Sequence, residues 1–141
     1  MNGKQWIRFG FLLAGTVNIA GILTFTKFFS NDLLRNLAPE VFSTVGIVSI
    51  ILWGMAYISV AGHFDRVPFI SGVFAIEKFF YAIVWVGWLK QNFNELGTIY
   101  QQDLITGFFY SVYGLNDFLF GVFFAIVFIK DLDLGLKPEG E

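Results

Sequence analysis

Four long apolar runs dominate this chain and limit what it can fold into. Crossing the hydrocarbon of a bilayer takes about 20 consecutive, mostly apolar residues. Runs of that kind extend from about Trp6 to Phe28, Val41 to Ala61, Phe69 to Leu89 and Leu104 to Ile129. Read as helices, they predict an all-α membrane protein: one domain over residues 1–141, folded as a bundle of four transmembrane helices. Nineteen phenylalanines in 141 residues would crowd a water-soluble core of this size, with 56% of residues hydrophobic and only 14% charged. In lipid those rings need no burial, because the hydrocarbon is their solvent.

The run ends carry matching signals. Pro39 and Glu40 precede the second run and Pro68 the third, where a proline at the first helical position and an acid near the positive dipole end are favourable. Asp103 is placed to cap the fourth. Arg8 and Lys27 sit near the ends of the first and can snorkel to the interface. Trp6, Trp85, Trp88 and Tyr100 fall where aromatic belts are expected. The first run is read as an ordinary first helix and not as a signal peptide, being longer than a signal core and lacking a small-residue cleavage motif after it.

An even number of spans puts both termini on one side. That side collects Lys4, Arg8, Arg66, Lys130 and Lys137, the other Lys27, Arg35 and Lys90, which favours cytoplasmic termini. Between the runs, Ser30 to Ala38 predicts a short interfacial helix, capped by Asn31 or Asp32, with Leu33, Leu34 and Leu37 on one face. Gly62 to Val67 reads as a tight loop, Gln91 to Gln102 as a polar loop, and the tail after Lys130 as loosely ordered.

Several functions are disfavoured by what the chain lacks. A net charge of -2 with no basic patch gives no reason to expect nucleic acid as a partner. Without cysteine there is no disulfide, thiolate nucleophile or iron–sulfur ligand, and the single histidine, His63, lies in a surface loop where a ligand role is not expected. No metal site and no cofactor is therefore expected from this chain's own residues. A quinone or another apolar organic ligand stays open.

The strongest functional signal is a coincidence of depth. The centre of the first run falls beside Asn18, that of the third beside Glu77 and Lys78, and that of the fourth between Asn116 and Asp117. The second is centred near Ile51, with Trp53 close by and Tyr57 a turn further on. A charged group at the bilayer centre costs about 2.5–3.5 kcal/mol even on the lenient insertion scale. Glu77, Lys78 and Asp117 must therefore face the bundle interior, pair with one another, or line a cavity. Helical spacing permits it: Tyr110, Tyr113, Gly114, Asp117 and Gly121 share a stripe, Glu77 shares one with Tyr81, Val84 and Trp88, and the two glycines are expected to leave room beside the Asp117 carboxyl.

Two carboxyls and an amine at low dielectric suit several tasks. Burial penalises their charged forms and mutual pairing opposes that penalty. Glu77 and Asp117 are the candidates for general acid or base work. Asn18, Trp53, Tyr57, Lys78, Tyr81, Tyr113 and Asn116 are the candidates for lining a ligand pocket. The alternative is purely architectural. Small residues on membrane helices usually serve close packing, Asn18 and Asn116 can simply bond across helices, and Lys78 can simply neutralise a carboxylate.

The four-span layout, the opening from Arg8 to Gly15, and the stretch Gly114-Leu115-Asn116-Asp117 followed by Phe120-Gly121 resemble the DoxX-like superfamily of small bacterial membrane proteins. The resemblance implies a helical protein of a bacterial inner membrane, associated with an oxidoreductase complex or without a settled activity. No catalytic residue carries over, because the Glu77-Lys78 pair has no counterpart in that pattern.

Four functional readings follow. The first is a module binding a small amphipathic or lipid-soluble molecule at midplane. The second is an intramembrane acid–base enzyme on a lipid-soluble substrate, so that enzyme status stays open. The third is an accessory subunit docked in a larger membrane complex. The fourth is an ion path, which would need a homo-oligomer because four helices enclose little space.

Overall fold

A computed structural model of the chain describes residues 2–135. It is all-α, with no strand among the described residues. Helix α1 spans Gly3–Phe25, and two short helices follow, α2 (Asp32–Leu37) and α3 (Pro39–Phe42). Then come α4 (Thr44–Val60), α5 (Pro68–Asn92), α6 (Leu96–Gln102) and α7 (Leu104–Gly135). Single 3-10 turns at Phe64–Arg66 and Phe93–Glu95 flank α5. Three stretches, Gly3–Phe25, Pro68–Gln102 and Leu104–Leu132, are long and apolar enough to cross a membrane, consistent with an integral membrane protein. Outward-facing side chains such as Val45, Phe69, Ile76, Ile83 and Leu104 are at least 70% exposed, an apolar surface suited to lipid.

The helices end where capping chemistry stops them. At the start of α1, the side chain of Asn2 accepts from the Gln5 amide while the Gln5 side chain accepts from the Asn2 amide, closing a capping box. The helix was expected to run on to Phe28, but it stops at Phe25. Lys27, Phe28 and Phe29 take left-handed conformations with φ of 50°, 54° and 71°. L residues in that region cost about 1–2 kcal/mol each, and polar anchors hold the turn. Asn31 Nδ2 donates to the Phe25 carbonyl at 2.9 Å, Ser30 Oγ donates to the Lys27 carbonyl at 2.6 Å, and the Lys27 ammonium meets Asp103 at 2.8 Å.

The second apolar run is also interrupted. Pro39 does open a helix, but that helix is α3, and the backbone breaks at Ser43 (ψ 166°), whose hydroxyl accepts from the Gly46 amide and caps α4. The break tucks Gly46 against the Val41 carbonyl, where any Cβ would collide. The expected short helix near Ser30 to Ala38 is present as α2, capped by Asn31. The stretch expected as a polar loop, Gln91 to Gln102, is instead helical throughout, because α5 continues through a 3-10 turn into α6 and Ile99 is buried against the bundle. Helix α7 continues to Gly135, so the first part of the tail expected to be loose is helical; residues 136–141, Lys137 among them, lie outside the described residues.

The bundle is built from two long helix pairs, α5 with α7 and α1 with α4. The first pair is keyed by rings in glycine notches: Trp85 lies over Gly114 and Phe79 over Gly121. The room expected at these two glycines is thus filled from α5. The second pair brings backbones together, since a Cβ on Gly54 would lie 2.9 Å from the Gly15 carbonyl oxygen. Two separate apolar clusters fill the ends of the bundle. One gathers Leu34, Phe42, Ile47, Trp88, Phe109 and Tyr110; the other gathers Phe11, Tyr57, Phe64, Phe74 and Phe124. Along α1, α5 and α7 the buried polar residues Asn18, Glu77, Lys78 and Asp117 fall between the two clusters.

Candidate functional site

Adjacent residues on a helix point about 100° apart, so Glu77 and Lys78 leave α5 toward different neighbours. Lys78 is 2% exposed. Its ammonium donates to Asp117 Oδ1 on α7 at 2.6 Å and to Asn18 Oδ1 on α1 at 2.7 Å. Asn18 in turn donates from Nδ2 to the Ile50 carbonyl on α4 at 3.3 Å. One lysine therefore links three helices, with a fourth reached through the asparagine. The ammonium also lies 5.4 Å from the centroid of the Tyr57 ring, within cation–π range.

Glu77 turns to α4, where the Tyr57 hydroxyl donates to its Oε2. Its other oxygen, Oε1, is buried with no hydrogen-bond partner among the described residues, and so is the Tyr113 hydroxyl on α7. Buried polar atoms are nearly always paired, so two orphans in one neighbourhood require an explanation. Both residues line a single cavity of about 200 Å³. Asn18, Lys78, Tyr81, Asn116 and Asp117 line it too, and the remainder of its wall is apolar, with Ile22, Phe42, Ile50, Phe108 and Phe109 among the side chains. Toward the outside it is bordered by Val17, Gly21, Phe25 and Phe108, of which Phe108 is half exposed and Gly21 has open space around it.

The structure thus brings seven of the nine candidate residues to one wall: Glu77, Asp117, Asn18, Lys78, Tyr81, Tyr113 and Asn116. Tyr57 stands behind that wall, bonded to Glu77 and lying under the Lys78 ammonium. Trp53 lies elsewhere, edge-on to Phe74 at 6.2 Å in one of the apolar end clusters. Trp85 and Trp88, expected as interface anchors, turn inward instead. Their indole N–H groups donate to the carbonyls of Tyr110 and Leu37 at 2.7 and 3.0 Å, and Trp88 stacks on Tyr110. The apolar half of the cavity wall was not picked out from the sequence, because an apolar residue facing a cavity has the same periodicity as one facing a packed core.

Outside the apolar segments, ion pairs mark the two ends of the bundle. Lys4 meets Asp65 at 2.8 Å at one end, and Lys27 meets Asp103 at the other. The Lys27 ammonium, donating to the Asp103 carboxylate, holds that carboxyl below its usual range. Lys4 does the same for Asp65. Among the described residues there is no cluster of three or more metal-ligating side chains.

Comparison with protein-family models, with curated proteins and with solved structures finds no match to this chain.

Proposed function

We propose that this chain is a four-span integral membrane protein whose midplane cavity binds a small lipid-soluble molecule carrying a polar head. The observation that carries the reading is the pair of orphaned buried atoms, Glu77 Oε1 and the Tyr113 hydroxyl, on residues that line one cavity. A cluster serving architecture alone would be expected to close on itself. Lys78, Asp117 and Asn18 do close in that way, which accounts for half of the polar group by packing. Glu77 and Tyr113 do not. The apolar border at Gly21, Phe25 and Phe108 suits a ligand arriving from the hydrocarbon.

The fourth span is α4. It is short, 17 residues or about 25 Å at 1.5 Å per residue, so local thinning of the bilayer would accompany it. The Lys4–Asp65 pair supports a crossing, because the residue just beyond α4 has returned to the start of α1. With four spans the termini share a face, and the excess of Lys and Arg on that face favours the cytoplasmic side.

A second reading is an acid–base enzyme on a lipid-soluble substrate, favoured by the placing of both Glu77 and Asp117 on the same cavity. The deciding experiment is native mass spectrometry of protein extracted with its own lipids, comparing the natural chain with Gly21→Phe, which narrows the cavity border without touching a polar group. A retained small molecule that is lost in Gly21→Phe supports the pocket. No retained molecule in either protein rejects it, and a ligand recovered in chemically altered form selects the enzyme.

A further inference from the structure

The charge count of the cavity restricts what head group it can take. Its wall holds two carboxyls, Glu77 and Asp117, and one ammonium, Lys78. The ammonium is committed: its ion pair is with Asp117 and its second bond is to Asn18. Glu77 has no cation within salt-bridge distance among the described residues; its one bond comes from the neutral Tyr57 hydroxyl. Every titratable or charged group facing it is accounted for: Tyr57 from α4, Lys78 and Tyr81 from its own helix, and Tyr113 and Asp117 from α7, with the neutral Asn18 on α1. With both carboxyls ionised the cavity is one positive charge short of balance, and the side chain left without a cation is Glu77.

We propose that the ligand is a lipophilic amine, bound as its ammonium form with an N–H donated to Glu77 Oε1. This rests on the pocket reading above and deepens it. Four features fit the ammonium. It supplies the missing cation, and it donates to an acceptor already buried, which makes a charge-assisted bond. The Tyr113 hydroxyl offers an acceptor on the same wall, and Tyr81, Tyr113 and Phe109 supply aromatic rings to that wall, a kind of group that attracts a cation. The amine's apolar body takes the apolar half of the wall, toward Phe25 and Phe108. A carboxylate head would meet two carboxyls and is rejected by like charge. A neutral alcohol can donate to Glu77 but leaves the charge unbalanced.

The test uses the full-length chain in detergent and three probes that share one apolar body: 3-phenylpropylamine, 3-phenylpropanol and 3-phenylpropanoate. Affinity is read by calorimetry and by the rise in unfolding temperature that a ligand of the folded state produces. The amine is expected to bind about tenfold or more tighter than the alcohol, because both donate to the same carboxylate but only the ammonium adds a counter-charge. The carboxylate is expected not to bind. Glu77→Gln keeps an acceptor for Tyr57 but removes the charge, and it should abolish the preference for the amine. Equal affinity for amine and alcohol overturns the amine assignment while leaving the pocket standing. Binding of none of the three overturns both. An amine preference that survives Glu77→Gln overturns the role of Glu77. If Glu77→Gln does not fold, the ranking of the three probes on the natural chain decides alone.

Discussion

Lys78 is the residue on which the centre of the bundle turns. Its ammonium ties Asn18 of α1 to Asp117 of α7 from α5, and removing it would leave the Asp117 carboxyl buried without a counter-charge. Breaking a buried pair on one side costs about 3–5 kcal/mol, whereas replacing both partners is often close to neutral. Lys78→Met should therefore lower unfolding stability in detergent by about that amount, and Asp117→Asn by a similar one. The double variant Lys78→Met/Asp117→Asn should recover much of the loss, a coupling that a double-mutant cycle in thermal unfolding reads directly. Additive losses would show that the pair does not act as a unit. Asp103 offers a second check at this scale. Lys27 holds its carboxyl below the usual range, so the stability it contributes is fully present above the ordinary aspartate value, about 3.9. That contribution is lost as pH falls through the lowered value of the folded chain. Asp103→Asn should cost about 1 kcal/mol at neutral pH, given a half-exposed lysine partner. The gap between the variant and the natural chain should close in strong acid, as followed by unfolding at a series of pH values.

At the scale of the helices, close approach explains more than hydrophobicity does. Gly54 lets α4 lie against α1, and a side chain there would press on the Gly15 carbonyl oxygen and on Ile19, with its Cβ 2.9 and 2.7 Å from them. Since one of those neighbours is backbone, Gly54→Leu should cost at least about 2 kcal/mol, as overpacking does in tight cores. Gly21 on α1 has open space instead, so Gly21→Ala should leave the unfolding temperature unchanged or raise it slightly. Comparing the two variants by thermal unfolding separates packing from mere loss of glycine. The same distinction shows what the sequence could reveal. The inward placing of Asn18, Glu77, Lys78 and Asp117 was legible, since burying charge in hydrocarbon is costly enough that such groups must face the interior, pair with one another or line a cavity. The break at Ser43 and the left-handed turn at Lys27 to Phe29 were not. No glycine or proline marks that turn, and what holds it is a set of contacts to Asp103 and Asn31 that are distant in sequence or direction from any local signal. The inward turn of Trp85 and Trp88 was hidden for a related reason: a tryptophan near a helix end has the same sequence context whether its N–H finds water or a neighbour's carbonyl.

At the scale of the whole molecule, one question decides how the cavity sits in the bilayer: whether α4 crosses it. The chain has no cysteine, so single cysteines can be introduced without background. Gly3, Gly62 and Gly97 lie just inside α1, between α4 and α5, and in α6, and a Cβ at any of them meets nothing within 4 Å. Each can carry a cysteine without strain on the fold. If α4 crosses, Gly3→Cys and Gly62→Cys lie on one face and Gly97→Cys on the other. If it does not, Gly62→Cys stands alone, opposite both. Labelling with a membrane-impermeant maleimide in sealed vesicles of known orientation distinguishes the two patterns. We expect Gly3→Cys and Gly62→Cys to react together, because Lys4 and Asp65 are already joined across that end of the bundle. The consequence reaches the site. With α4 across the membrane, Tyr57 and the Ile50 carbonyl complete the inner side of the polar group, and Glu77 and Tyr113 line a cavity near midplane that is bordered by lipid. With α4 lying at the surface, that group could not be held at one depth, and a pocket for a lipid-soluble amine would lose its fourth wall.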